Sequence, residues 1–277
     1  MEKASNNFTG NILKGISSRL RRKAGNKYKN AGLNWFSIKK LKHLPYNQPN
    51  EFKLKGHTIH FNNGPELLHS LKEIFAEEVY KTTLNGPHPY IIDCGSNIGL
   101  SVLYFHMHHP DAEIDAFEPD PSNFALLQKN IPANSRIRLN NEAIWKEDTT
   151  LHFAGGGTLD SKIGETKAGN TIEVKARRLK NMLNRKVDFL KLDIEGAEYE
   201  VLNDCANDLR NVDQLFIEFH GHFNKMHELT GILKLVEDNG FAFYIKEASP
   251  VYDTPFYRQK NTGPYDLQLN IFCFRNK

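Results

Sequence analysis

From residue 90 onward, short apolar runs alternate with stretches of helical period. Tyr90-Ile91-Ile92-Asp93 predicts a strand, and 98–108 a helix behind it. A second strand is expected over 113–118, a helix opened by Pro121 over 121–130, and a third strand over 136–139. Strands at 150–153 and 171–176 flank the glycine run Gly155-Gly156-Gly157, and further strands are expected at 187–193, 214–219, 241–245 and 267–274. Helices fill 197–205 and 226–239, the second stopped by Gly240, which suits a left-handed helix end. Residues 56–88 predict a strand and a helical cap leading into the sheet, with Gly86-Pro87 as the boundary turn. There is neither an internal repeat nor a low-complexity tract. The alternation predicts an α/β fold with a doubly wound, mostly parallel sheet.

Composition narrows the class. The 277 residues allow one large domain or two small ones, and 39% hydrophobic with 25% charged content is the profile of an ordinary globular protein. No run approaches the roughly 18 apolar residues of a membrane-spanning helix. Cys94, Cys205 and Cys273 lie far apart with no CxxC pair, which supports neither a disulfide framework nor a thiolate zinc site; a reducing, cytoplasmic compartment is expected.

The net charge of +3 hides an asymmetry. Residues 1–55 hold 13 Lys/Arg and 2 Asp/Glu, net +11, and residues 56–277 are net −8. Within the basic part, Phe8, Ile12, Leu13, Ile16 and Leu20 recur near helical spacing, with Arg19, Arg21, Arg22 and Lys23 crowding the end of the stripe. The expected organisation is a basic helical extension over 1–55 and one domain over 56–277. The extension lacks the apolar core and small-residue cleavage site of a secretory signal, so it is expected to stay in the mature protein. It suits packing on the acidic body, or peripheral contact with an anionic membrane face or lipid-linked substrate. A duplex-binding face should be basic, so the acidic remainder predicts no nucleic-acid partner. A homo-oligomer is left open.

The strongest local signal is Ile91-Ile92-Asp93-Cys94-Gly95-Ser96-Asn97-Ile98-Gly99: an apolar strand, an acidic end, two glycines, then a helix. Strand-to-helix turns of this kind bind nucleotides in doubly wound sheets. Asp93 stands where a dinucleotide fingerprint wants its first glycine. A carboxylate there repels a pyrophosphate and attracts an ammonium, so the expected cofactor is nucleoside-like, cationic and free of phosphate. Glu118 ends the second strand, where a carboxylate can accept both ribose hydroxyls. At the end of the third strand, Glu142 and Ala143 are candidates to reach the base.

The glycine turn, Phe117-Glu118-Pro119-Asp120, Asn123 to Asn130, and Val187-Asp188-Phe189-Leu190-Lys191-Leu192-Asp193-Ile194-Glu195-Gly196-Ala197-Glu198 together resemble the FkbM-type S-adenosylmethionine-dependent methyltransferases. The resemblance spans about residues 88–220 by motif placement. It implies a Rossmann-like class I methyltransferase sheet of seven strands with the final one antiparallel. It also implies S-adenosylmethionine as cofactor and O-methylation of sugars or natural products. The implied cofactor residues are Asp93, Gly95, Ser96, Asn97, Gly99, Glu118, Glu142, Ala143 and Asp193. A nucleic-acid methyltransferase is the first alternative, but Asp193-Ile194-Glu195-Gly196 stands where exocyclic-amine methylation uses an Asn/Asp-Pro-Pro-aromatic motif. A binding module without chemistry is the second.

An alcohol is a poor nucleophile and needs an in-line position and a base. Candidates are Asp193 and Glu195 at the fourth strand end, and Glu218, His220 and His222 at the fifth. His220 is the first choice as base, against a structural histidine donating to a loop carbonyl. Asp193 either orients the substrate or pairs with Lys191, Glu195 favours the positive end of the next helix, and Glu198 is structural. Glu218 and His222 are read as substrate-binding. Asp193, Glu195, Glu218 and His220 also carry atoms that ligate magnesium or manganese, but convergence is invisible in a sequence and a metal is not expected. The acceptor loop is placed at the glycine run, where Asp160 and Ser161 bind hydroxyls, with Trp145, Phe223 and Tyr252 as aromatic faces for a sugar.

Overall fold

The structure is a computed structural model in which residues 28, 30–154, 171–258 and 263–275 are described. The chain divides into two compact units, Met1–Lys81 and Thr82–Lys277.

In the first unit, α1 (Trp35–Lys42) starts at Asn34, whose side chain accepts the Ser37 amide at 2.9 Å. Strands β1 (Asn50–Leu54) and β2 (His57–Phe61) form an antiparallel hairpin. Its two-residue turn, Lys55-Gly56, has positive φ at both positions (46° and 90°), which matches the twist of paired strands. Helix α2 (Gly64–Ser70) follows and continues into a π-helical turn, Leu71–Ala76. The domain boundary expected after residue 55 thus falls inside a hairpin turn. The charge balance changes there, but the backbone pairing continues across it.

The second unit is built on a seven-stranded sheet. Its strands are β3 (Tyr90–Cys94), β4 (Glu113–Phe117), β5 (Ile137–Asn140), β9 (Phe189–Leu192), β10 (Gln214–Gly221), β11 (Phe241–Glu247) and β12 (Leu267–Arg275). The order across the sheet is β11-β12-β10-β9-β3-β4-β5. Pairs β3/β4, β4/β5, β3/β9 and β9/β10 are parallel, and β12 is antiparallel to both β10 and β11. All five residues of β3 are buried, as a central strand covered on both faces requires, which is why Tyr90, Ile91 and Ile92 are apolar in succession and Asp93 needs a buried partner. Helices α3 (Leu100–His108), α4 (Pro121–Asn130), α5 (Glu198–Asp204) and α6 (Met226–Asp238) connect the strands.

Local chemistry sets the helix ends. Asp120 caps α4 by accepting the amides of Ser122 and Asn123 at 2.8 and 2.9 Å, with Pro121 in the first turn. Gly240 follows α6 with φ 76°. A second, three-stranded sheet is formed by β6 (Ala143–Trp145), β7 (Thr149–Ala154) and β8 (Thr171–Arg178) in the order β6-β8-β7. Ala143, expected at the cofactor, lies on β6 paired with Ala176 and is buried in the main core beside Ile144 and Trp145. Trp145 is therefore a core residue. Asp160, Ser161, the glycine run and the basic stripe 8–23 lie outside the described residues. Among the described residues, no helix is long and apolar enough to cross a membrane.

Candidate active site

The strand order reverses between β3 and β9, and ligands of open α/β sheets sit at that crevice, outside the carboxyl ends of the strands. Five strand ends deliver the candidate residues there: β3 the turn 95–99, β4 Glu118, β5 Asn141, β9 the segment 193–195, and β10 Glu218 to His222.

Asp93 is fully buried, and its Oδ2 accepts the Ser101 hydroxyl at 2.5 Å. Lys191, buried on the neighbouring β9, places its Nζ 3.3 Å from Asp93 Oδ1 and 3.2 Å from Asp193 Oδ2. The same ammonium donates to the carbonyls of Gly95 at 2.8 Å and Cys94 at 3.4 Å. One cation thus ties the end of β3 to the end of β9. Gly95 has φ 85°, and a Cβ there would stand 1.8 Å from the Asp193 carbonyl oxygen, so only glycine fits. Ser96 turns inward and donates its hydroxyl to the Asp93 carbonyl at 3.1 Å, so it shapes the turn.

Glu118 is buried at the end of β4. Its Oε2 accepts the Asn97 amide at 2.8 Å and its Oε1 the Asp120 amide at 2.9 Å. Burial pushes its carboxyl up to about 7, against the pull of those two amides. Asn141 fixes the same corner by donating to the carbonyls of Glu118 at 2.8 Å and Pro119 at 3.1 Å. Glu142 does not present an open carboxylate: Arg177 holds it, with Nε 2.7 Å from Oε2 and Nη2 3.1 Å from Oε1.

On the other side of the crevice, His220 is buried with its Nδ1 3.1 Å from Glu198 Oε1. Glu198 also accepts the amides of Gly196 at 3.1 Å and Ile194 at 3.3 Å, so it caps the β9–α5 turn and orients the imidazole together. The Nε2 of His220 faces Glu195 at 3.7 Å and Glu218 at 3.8 Å. Burial works to lower the imidazole pKa, but the Glu198 hydrogen bond and the charges of Glu198, Asp193 and Glu195 outweigh it and push it up to about 10. The ring's hydrogen bond to Glu198 is on Nδ1, which leaves Nε2 facing the crevice.

Glu195 adopts φ 55° and Gly196 φ 96°, a left-handed corner held by the Tyr265 hydroxyl, which donates to the Glu195 carbonyl at 2.8 Å. Beyond it, Asp266 accepts the Phe223 amide at 3.1 Å and the Tyr252 hydroxyl at 3.0 Å, with His222 Nδ1 3.8 Å away. Phe223 and Tyr252 stack at 5.9 Å, and Arg258 lies over the Phe223 ring at 4.8 Å.

The family model for the methyltransferase FkbM domain matches residues 93–243, more than half of the chain. The chain belongs to the FkbM methyltransferase family. Two curated relatives are similar over most of their length. Methyltransferase 1 of Beauveria bassiana is 26% identical over 210 residues, covering 65% of this chain and 82% of that protein. The 31-O-demethyl-FK506 methyltransferase FkbM of Streptomyces tacrolimicus is 25% identical over 239 residues, covering 71% and 90%. The solved structure of a methyltransferase FkbM from Methylobacillus flagellatus is similar with a TM-score of 0.42 at 17% identity; the match covers 75% of this chain and 54% of that one, about half its length.

Within this FkbM domain, the glycine turn, Glu118 and the segment 193–195 from the resemblance stand at adjoining strand ends. The expected pairing of Asp193 with Lys191 is present at 3.2 Å, and the same buried ammonium also reaches Asp93, so it ties two strands. Two further residues organise the site beyond the sequence reading. Glu198 read as structural only, although its place three residues after Glu195 on the first turn of α5 puts it against His220. Asp266 drew no attention, since a lone acidic residue before a strand carries no signal.

Proposed function

We propose that this chain is an S-adenosylmethionine-dependent O-methyltransferase acting on a hydroxyl of a sugar, a glycan or a glycosylated natural product. The observation that carries it is Glu118, a buried carboxylate held by the Asn97 and Asp120 amides at the strand end beside the glycine turn. A carboxylate so placed can still accept ribose hydroxyls through its remaining lone pairs. Asp93 and Asp193 make the neighbouring strand ends anionic, which suits a cationic nucleoside and disfavours a pyrophosphate. The residues present therefore fit S-adenosylmethionine, with Glu118 on the ribose and the 95–97 turn against the amino-acid portion. When bound, that cofactor supplies a methyl group on a positively charged sulfur.

The chain's own residues must then hold the acceptor. Asp193, Glu195 and Glu218 ring the crevice mouth and can take the hydrogen bond and the proton of an alcohol. The stacked Phe223 and Tyr252, with Asp266 and His222 at their edge, offer an apolar face and polar rim for a sugar ring. Hydroxyl methylation also agrees with the O-linked position in the name of the Streptomyces relative.

The test is thermal unfolding with and without S-adenosylmethionine, with NAD as control. Ligand at about 100 times its dissociation constant should add about 2.7 kcal/mol. Selective stabilisation, followed by transfer of labelled methyl to a glycan acceptor, is the expected result. Stabilisation by NAD alone would overturn the reading of Asp93 and Glu118.

A further inference from the structure

On the acceptor side of the crevice, Asp193, Glu195, Glu198 and Glu218 bring carboxylates to adjoining strand ends around the buried His220.

Three of these groups converge. One ligand atom each from Asp193, Glu195 and His220 lies within 4.8 Å of the other two. Ligands of a small divalent ion are about 3.0 Å apart when cis and about 4.2 Å when trans, so closure around an ion draws these side chains together by on the order of 1 Å, within the reach of rotamer adjustment in the half-exposed Glu195. His220 supplies an independent sign. It is 4% exposed, and its Nε2 points at the carboxylates from 3.7 and 3.8 Å, beyond hydrogen-bonding range, while its Nδ1 is held by the Glu198 carboxylate. A carboxylate on the far nitrogen is what fixes a metal-ligating imidazole in its tautomer and orientation.

We propose that Asp193, Glu195 and His220 form a divalent-cation site that binds the acceptor hydroxyl. This rests on the methyltransferase reading of the same crevice. Two carboxylates and one imidazole suit Mn(II) better than Mg(II), which prefers all-oxygen shells. The ion takes the position on Nε2 that a proton otherwise fills. Asp193 keeps one oxygen on Lys191 and offers the other to the ion. Glu195 is half exposed, so the open positions face the acceptor entrance, as a catalytic rather than a purely structural site requires. An alcohol on the ion becomes more acidic, and its proton leaves to Glu218, outside the trio, and from there to water.

The test uses the full chain stripped with EDTA and titrated with Mn(II), free ion being read from its paramagnetic resonance signal without S-adenosylmethionine. One ion per chain is expected, with affinity at least about tenfold weaker in both Asp193→Asn and Glu195→Gln. Glu195 is exposed enough that its variant should fold as wild type does, so a loss of binding there is not a folding failure. No binding at millimolar Mn(II), or binding unchanged in both variants, overturns the site. In parallel, methyl transfer should be abolished by EDTA and restored by Mn(II). Transfer insensitive to EDTA overturns the metal and leaves the methyltransferase reading standing, whereas absent S-adenosylmethionine binding with intact Mn(II) binding defeats that reading instead.

Discussion

The Asn97 amide donates to the Glu118 carboxylate across 2.8 Å, joining the glycine turn to the end of the next strand. That carboxyl is raised to about 7, chiefly by burial. A carboxyl whose folded pKa lies above its unfolded value adds stability that is complete below the ordinary pKa and is lost as pH rises through about 7. Apoprotein stability should therefore fall between about pH 5 and about pH 8, by on the order of 3 kcal/mol from this group at most. Urea unfolding at the two pH values, in wild type and Glu118→Gln, checks it. The variant should lose this part of the slope, and equal slopes would show that Glu118 ionises normally.

The ionised form is the one that accepts ribose hydroxyls, so affinity for S-adenosylmethionine should move the opposite way. Below about pH 7 it should weaken by up to about tenfold per pH unit, and above that it should level off. Calorimetric titration across this range in wild type gives the profile. A flat one would separate Glu118 from the ligand.

Lys191 is the cation on which Asp93, Asp193 and the Gly95 carbonyl converge. Lys191→Met keeps the apolar stem and removes the charge, leaving the buried Asp93 without its ion pair. Breaking a buried pair from one side costs about 3–5 kcal/mol, so the variant should unfold at clearly lower denaturant. Lys191→Arg should not restore it, because a planar fork does not fit a site shaped for a compact ammonium. A loss under about 1 kcal/mol would place this lysine among ordinary surface pairs.

Much of this architecture was legible because the physics that formed it is local. Ile91 and Ile92 are apolar because β3 is covered on both faces, and Asp120-Pro121 and Gly240 mark helix ends because caps act within one turn. The second sheet was legible in part: β7 and β8 match the strands expected at 150–153 and 171–176, but β6 has three residues, too few to show alternation, and its partner β8 comes 26 residues after β6 ends. Strand β6 read as the tail of the third strand, so the contacts of Glu142 with Arg177 and of Ala143 with Ala176 were not foreseen. Strand β2 and the helix after it match the strand and helical cap expected over 56–88, whereas β1 was hidden by the lysine-rich composition around it. Asp193, Glu195 and His220 could be named from their strand ends, but their convergence depends on the parallel register of β9 and β10, Leu192 opposite Ile217, and register is a property of the sheet.

Glu198 serves a turn and a side chain at once, and the two duties separate by substitution. Glu198→Ala removes the acceptor for the Gly196 and Ile194 amides and for His220 Nδ1, all in a buried place. It should cost about 3–5 kcal/mol and lower turnover. Glu198→Gln keeps an oxygen there and should recover much of the stability. Turnover should recover less, because the charge facing the imidazole is gone, while S-adenosylmethionine affinity stays near wild type in both. Full turnover in Glu198→Gln would confine Glu198 to the turn.

Gly95 and Gly86 share a left-handed backbone, φ 85° and 101°, and differ in what a side chain would meet. At Gly86 nothing lies within 4 Å, so Gly86→Ala should cost only the conformational strain of an L-residue there, about 1–2 kcal/mol, with cofactor affinity unchanged. At Gly95 the added Cβ would stand 1.8 Å from the Asp193 carbonyl oxygen, in backbone that Lys191 and the β3/β9 pairing hold in place. Gly95→Ala must therefore push the turn away from the end of β9. The expected loss is larger than at Gly86, and S-adenosylmethionine affinity should fall at least about tenfold, since a displacement of about 1 Å in a positioned site costs more than strain alone. Denaturant unfolding and calorimetric titration of the two variants together make the comparison. Equal effects on both measurements would mean that the turn is free to move and that its contact with Asp193 does not shape the site.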